Sequence, residues 1–148
     1  MRISFDIDDT LVCASTVPTE QYIPWWRSWR YNEPLRRGTK ALMEALVQRG
    51  CRVWIYTTSH RSPRYLKAWF KSFGVAIEGV VNQARHEQRV GARGPSKYPP
   101  AFGIHLHVDD SPGVAIEGQY HQFAVVVVSP EDPDWVARVL AAVDACKE

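Results

Sequence analysis

Cysteine is scarce in this sequence: Cys13, Cys51 and Cys146 are the three present, odd in number and far apart. That argues against a disulfide framework and a zinc site, and it predicts free thiols in a reducing, cytoplasmic compartment. No apolar run approaches the roughly 18–20 residues of a membrane span, so no membrane partner is expected. The opening segment MRISFDIDDT reaches an aspartate at its sixth residue, which predicts no secretory leader. Net charge is also lacking. Eighteen Lys and Arg stand against 16 Asp and Glu, a balance of +2, too small to imply nucleic acid by itself. Internal repeats and low-complexity tracts are absent. What remains is a chain of 148 residues, 45% apolar and 23% charged. That composition is globular, and the length suits one domain over 1–148.

Short apolar runs alternate with amphipathic stretches. Residues 3–7 predict a strand. Residues 39–48, with Leu42, Ala45 and Leu46 at helical spacing and Gly50 beyond, predict a helix. Residues 52–57 are rich in β-branched and aromatic types and predict a second strand. Ser62-Pro63 is a helix start, followed by Leu66, Trp69, Phe70 and Phe73 on one face and a stop at Gly74. Residues 77–81 predict a weaker third strand, and 82–100, polar with several Gly and Pro, a long surface loop. Residues 104–108 predict the fourth strand, Ser111-Pro112 a short helix capped by Ser111, and 123–128 a strand covered on both faces. A last helix follows Asp132-Pro133. Strands alternating with helices predict a parallel sheet with helices on both faces. In such sheets ligands bind at the carboxyl ends of the strands.

Those ends carry chemistry. The first strand runs into Asp6, Asp8, Asp9 and Thr10, the second into Thr57, Thr58 and Ser59, and the fourth into Asp109 and Asp110. Lys97 precedes the fourth in the polar loop. Up to five carboxylates would converge on one rim and repel one another. A hard divalent cation relieves that repulsion, and oxygen ligands suit Mg²⁺. Together with hydroxyls and a lysine, such a rim suits phosphate oxygens.

The order Asp-x-Asp-x-Thr, Thr, Lys, Asp-Asp resembles the haloacid dehalogenase (HAD) superfamily of phosphohydrolases. The segments that carry the resemblance are Phe5 to Val12, Val53 to Thr57, Lys97, and Leu106 to Ser111, and it spans residues 1 to about 128. It implies a three-layer, Rossmann-like (HAD-like) α/β fold with a parallel sheet of about five strands. It also implies a phosphomonoesterase working through an aspartyl-phosphate. Asp6 would be the nucleophile and Asp8 the acid and base. Thr57 and Lys97 would bind the phosphoryl group. Mg²⁺ would sit on the Asp6 carboxylate, the Asp8 backbone carbonyl and Asp110, with Asp109 close by.

Other readings of the residues are plainer. Asp6, Asp8 and Asp9 could end a strand in a turn, Lys97 could be a solvated loop lysine, and His105 and His107 read as packing positions before a metal pair. A receiver-like phospho-acceptor module uses similar groups, but its acceptor aspartate ends the third strand, where Val80-Val81-Asn82 has none. A catalytically idle HAD-like binding scaffold would not need the full acidic set. Residues 11–38, with Trp25, Trp26, Trp29, Arg27 and Arg30, are long enough for a flap or vestigial cap only. That predicts an open site for a phosphorylated substrate, macromolecular ones included. The Trp/Arg mixture would also suit nucleic acid, which the net charge does not support. Oligomeric state is not legible.

Overall fold

Arg2–Phe5 (β1), Arg52–Tyr56 (β2), Gly79–Val81 (β3), Leu106–Asp109 (β4) and Ala124–Val127 (β5) form one sheet in the order β3-β2-β1-β4-β5. Every pairing is parallel. The computed structural model describes residues 1–20 and 33–147. Helices connect the strands: Thr39–Gln48 (α1), Pro63–Ser72 (α2), Gln83–Val90 (α3), Pro112–His121 (α4) and Trp135–Ala145 (α5), with a 3₁₀ turn at Pro99–Phe102. This is the expected α/β sheet of five strands with helices on both faces. From β1 the chain steps outward to β2 and β3, then returns to β1's other side with β4. The order therefore reverses between β1 and β4, and a crevice opens there at their carboxyl ends.

Alternation along the strands separates two cores. Ile3, Phe5, Val53, Ile55, Leu106 and Val108 face α1, α2 and α5, and are buried with Leu42, Leu46, Leu66, Trp69, Phe70, Val139 and Val143. The intervening residues face the other way. There Trp54, Tyr56, Val81, Phe102 and Ile104 form a smaller cluster, joined by buried Ser4, His107 and Asp109. The second face thus mixes aromatic and polar side chains, whereas the strand residues named on the first are all apolar. β3 begins with Gly79 because the Trp54 ring lies against it: a Cβ there would sit 2.5 Å from that ring.

Local signals set most helix ends. The Ser62 hydroxyl accepts from Tyr65 N (3.1 Å) and starts α2. Three expectations change. Residues 82–100 are not one long loop: Asn82 caps α3 through Arg85 N at 3.0 Å. This helix is polar nearly all round, with His86 its one buried residue, so it has no apolar stripe to betray it. β5 is an edge strand, exposed or half-buried along its length, because β4 alone pairs with it. Ser111 stands at the start of α4, but its hydroxyl makes no cap bond; its backbone N–H instead donates to Asp109 Oδ1 (3.0 Å).

Candidate active site

Asp6 stands one residue beyond β1, and its N–H donates to Val108 O at 2.9 Å, extending the ladder to β4. Because Phe5 is level with both Ile55 and Val108, Asp6 is level with Tyr56 and Asp109. These three positions, on three adjacent strands, face the same side of the sheet. The chain then bends sharply. Leu11 N and Val12 N both donate to Ile7 O at 2.9 Å, and Asp9 N donates to Val12 O at 2.8 Å. Asp9 takes a left-handed φ of 62°, which aspartate tolerates better than most residues. The bend turns Asp8 out toward solvent and buries Thr10 completely.

Lys97 ties the level together. Its ammonium donates to Asp6 Oδ1 (2.9 Å), Tyr56 O (2.8 Å) and Asp109 Oδ2 (3.3 Å), one partner from each strand end. Only 2% of Lys97 is exposed, so it is a buried ammonium with carboxylate partners. The other oxygen contacts of Asp109 come from Ser111 N and from His107 Nε2 at 3.0 Å. Behind it, His107 Nδ1 and Ser4 Oγ lie 2.8 Å apart.

Charge states follow from these contacts. Burial pushes the His107 imidazole down to about 4, so it is neutral at pH 7. Burial alone would raise Asp109, but the bond from His107 and the charge of Lys97 prevail and hold it down to about 2. An ionised Asp109 and a neutral His107 admit one tautomer: Nε2–H donates to Asp109, and Nδ1 accepts the Ser4 hydroxyl. Asp6 goes the other way. Burial pushes it up to about 6, Lys97 opposes that, and the charge of Asp109 adds to it. Asp110 is also raised, by burial first and then by Asp109. It accepts from Thr10 Oγ1 at 3.3 Å.

The structure therefore brings together Asp6, Lys97, Asp109 and Asp110. Carboxylate oxygens of Asp6, Asp109 and Asp110 lie within 4.8 Å of one another. The Asp8 carboxylate is outside that group. Both of its oxygens accept from Arg61, at 3.0 and 3.1 Å. Thr57 stands one residue beyond β2 and is 1% exposed; its hydroxyl donates to Ser59 Oγ at 3.2 Å and accepts from Ser59 N at 3.1 Å. Trp25, Trp26, Trp29, Arg27 and Arg30 lie outside the described residues.

Three contributors escaped the sequence reading. Ser4 and His107 looked like ordinary strand residues, although His107, two before Asp109, shares its face. Arg61 follows the second strand's hydroxyl run and carries no local signal.

No family model matches the chain, and no curated protein does. Among solved structures, one described as "a predicted HAD-like family hydrolase from Porphyromonas gingivalis" matches with a TM-score of 0.51 at 12% identity, covering 99% of this chain and 98% of that one. The fold is HAD-like. Together the match and the strand order account for the architecture from β1 to α5. Among the described residues no helix is long and apolar enough to cross a membrane.

The donor set suits a divalent cation. Among the described residues, three carboxylates face one ammonium, that of Lys97, which leaves two surplus negative charges in a partly buried site. All candidate ligand atoms are carboxylate oxygens, the preference of Mg²⁺ and Ca²⁺. Asp109 spends its oxygens on Lys97, His107 and Ser111 N, whereas the side-chain partner of Asp110 among the described residues is Thr10, at 3.3 Å. Asp6 and Asp110 are thus the carboxylates better placed to serve a cation.

Proposed function

We propose that this chain is a Mg²⁺-dependent phosphomonoesterase acting through an aspartyl-phosphate. The observation that carries the reading is the level set of Asp6, Lys97 and Asp109 at the β1/β4 switch point, with Asp110 beside it. An Asp6 oxygen attacks phosphorus, and the ester P–O bond breaks. The leaving oxygen takes a proton from Asp8. Asp8, now a carboxylate, takes a proton from water, whose oxygen attacks phosphorus and breaks its bond to Asp6, releasing inorganic phosphate. Lys97 and the Thr57 hydroxyl bind phosphoryl oxygens and offset their charge. Mg²⁺ would be held by the Asp6 and Asp110 carboxylates and the Asp8 backbone carbonyl, and it would supply further charge neutralisation.

Between Thr57 and Lys97 stand only α2, β3 and α3, which leaves no room there for a closing cap. A single domain with an open site favours extended phosphorylated substrates over small enclosed ones. Hydrolysis of para-nitrophenyl phosphate with Mg²⁺, against EDTA, tests the reading. Asp6→Asn should lower turnover by more than about 10³-fold with the fold retained; turnover within tenfold of the unaltered protein would remove Asp6 from the role. Asp8→Asn should harm an alkyl phosphate far more than the activated aryl ester, because a good leaving group needs no proton.

A further inference from the structure

Arg61 sits between two carboxylates, and each takes one edge of its guanidinium. Nε and Nη2 face Glu33, and Nη1 and Nη2 face Asp8. The two partners differ. Glu33 also accepts from the Tyr65 hydroxyl at 3.2 Å, and its side chain is 26% exposed, against 57% for Asp8. The Arg61 backbone is fixed as well, its carbonyl accepting from Asn82 Nδ2 at 3.2 Å and its N–H donating to Ser59 Oγ at 3.4 Å. Glu33 is therefore the anchor, and Asp8 is the exposed, replaceable partner of a guanidinium fork aimed at the site's rim.

That pairing conflicts with acid catalysis. In the fork both Asp8 oxygens are engaged by Arg61, so neither is free to meet a leaving oxygen. Two carboxylates on one guanidinium also leave one negative charge in surplus, so a further anion can enter only as Asp8 leaves the fork.

Resting on the phosphomonoesterase reading, we infer that Arg61 determines specificity by selecting phosphate monoesters whose leaving group carries a second two-oxygen anion, a carboxylate or phosphate, which replaces Asp8 on the guanidinium fork. Asp8, released from the fork, is then free to meet the leaving oxygen. Planar, bidentate recognition of this kind is what arginine offers and lysine does not.

The experiment compares matched esters with and without the second anion. 3-Phosphoglycerate is set against glycerol 3-phosphate, and thymidine 3′,5′-bisphosphate against thymidine 5′-monophosphate. The unaltered protein should favour the anionic member of at least one pair by about tenfold or more in kcat/KM, and the pair that responds separates carboxylate from phosphate. In Arg61→Gln that ratio should fall to near one, and Arg61→Lys, which keeps the charge without the fork, should recover only part of it. A merely structural Arg61 would lower both members equally and leave the ratio alone. Binding is read separately by calorimetry on Asp6→Asn, with and without Arg61→Gln. A preference for the anionic member that disappears with Arg61→Gln supports the assignment. Equal binding of both members, no binding, or a ratio unmoved by Arg61→Gln overturns it. Failure of the enzymatic reading shows separately, as no turnover of para-nitrophenyl phosphate by the unaltered protein.

Discussion

The ammonium of Lys97 lies 2.9 Å from Asp6 Oδ1 although 91 residues separate them in the chain. It offsets the first acid of the cluster from a position almost closed to solvent. Replacing Lys97 with Met leaves buried Asp6 and Asp109 without their cation. The expected cost is about 3–5 kcal/mol in urea unfolding, the usual scale for stranding a buried charge. Added Mg²⁺ should restore part of it by binding the folded state alone. A loss under 1 kcal/mol that Mg²⁺ leaves unchanged would mean that the acids are neutralised in another way.

Protons and Mg²⁺ should compete for Asp6. Burial holds its carboxyl up to about 6 in the metal-free protein, so below that pH a cation must displace a proton. The apparent Mg²⁺ dissociation constant, read from the shift in Tm with Mg²⁺ concentration, should be nearly flat above pH 7. It should rise by up to tenfold per unit as pH falls below 6. Affinity independent of pH between 5 and 7 would exclude Asp6 as a ligand.

His107 should make the fold acid-sensitive. Burial moves its pKa from 6.5 to about 4, so the unfolded chain binds more protons between those values. The stabilising contribution is therefore fully present above pH 6.5 and is lost as pH falls toward 4. The full shift corresponds to on the order of 3 kcal/mol. Asp6, raised from 3.8 to about 6, acts oppositely: its folded form binds the extra proton, and its contribution weakens as pH rises through that window. The two are separated by comparing the unaltered protein with His107→Gln, which should lose less stability between pH 6.5 and 4. Parallel stability curves for the two would contradict the buried neutral imidazole.

Arg36 holds loops rather than substrate. Its Nη2 donates to the carbonyls of Ser129 (2.7 Å), Pro130 (3.1 Å) and Asp132 (2.9 Å), and its guanidinium lies 4.6 Å from the Trp135 ring centre. It is 2% exposed. Arg36→Met should therefore destabilise the protein by about 3 kcal/mol through the stranded carbonyls. Proteolysis should quicken within 129–132 before global unfolding. Unchanged stability would show that water satisfies those carbonyls.

Local sequence determined a good deal of this protein. The apolar runs, the Ser62-Pro63 start and the stop at Gly74 placed strands and helices, because side-chain periodicity and caps act within a few residues. Asp6, Thr57 and Asp109 could be assigned to strand ends for the same reason. The polar helix α3 was missed, since without an apolar stripe its cap at Asn82 stood alone. Tertiary structure decided how the site residues pair. His107 meets Ser4 across 103 residues, Arg61 meets Asp8 across 53 and Glu33 across 28. It also distinguished Asp109, whose oxygens serve Lys97, His107 and Ser111, from Asp110, which is freer to meet a cation. Adjacent in sequence, the two acids alternate across the end of β4, and only packing around each side chain gives one a buried network and the other an open edge.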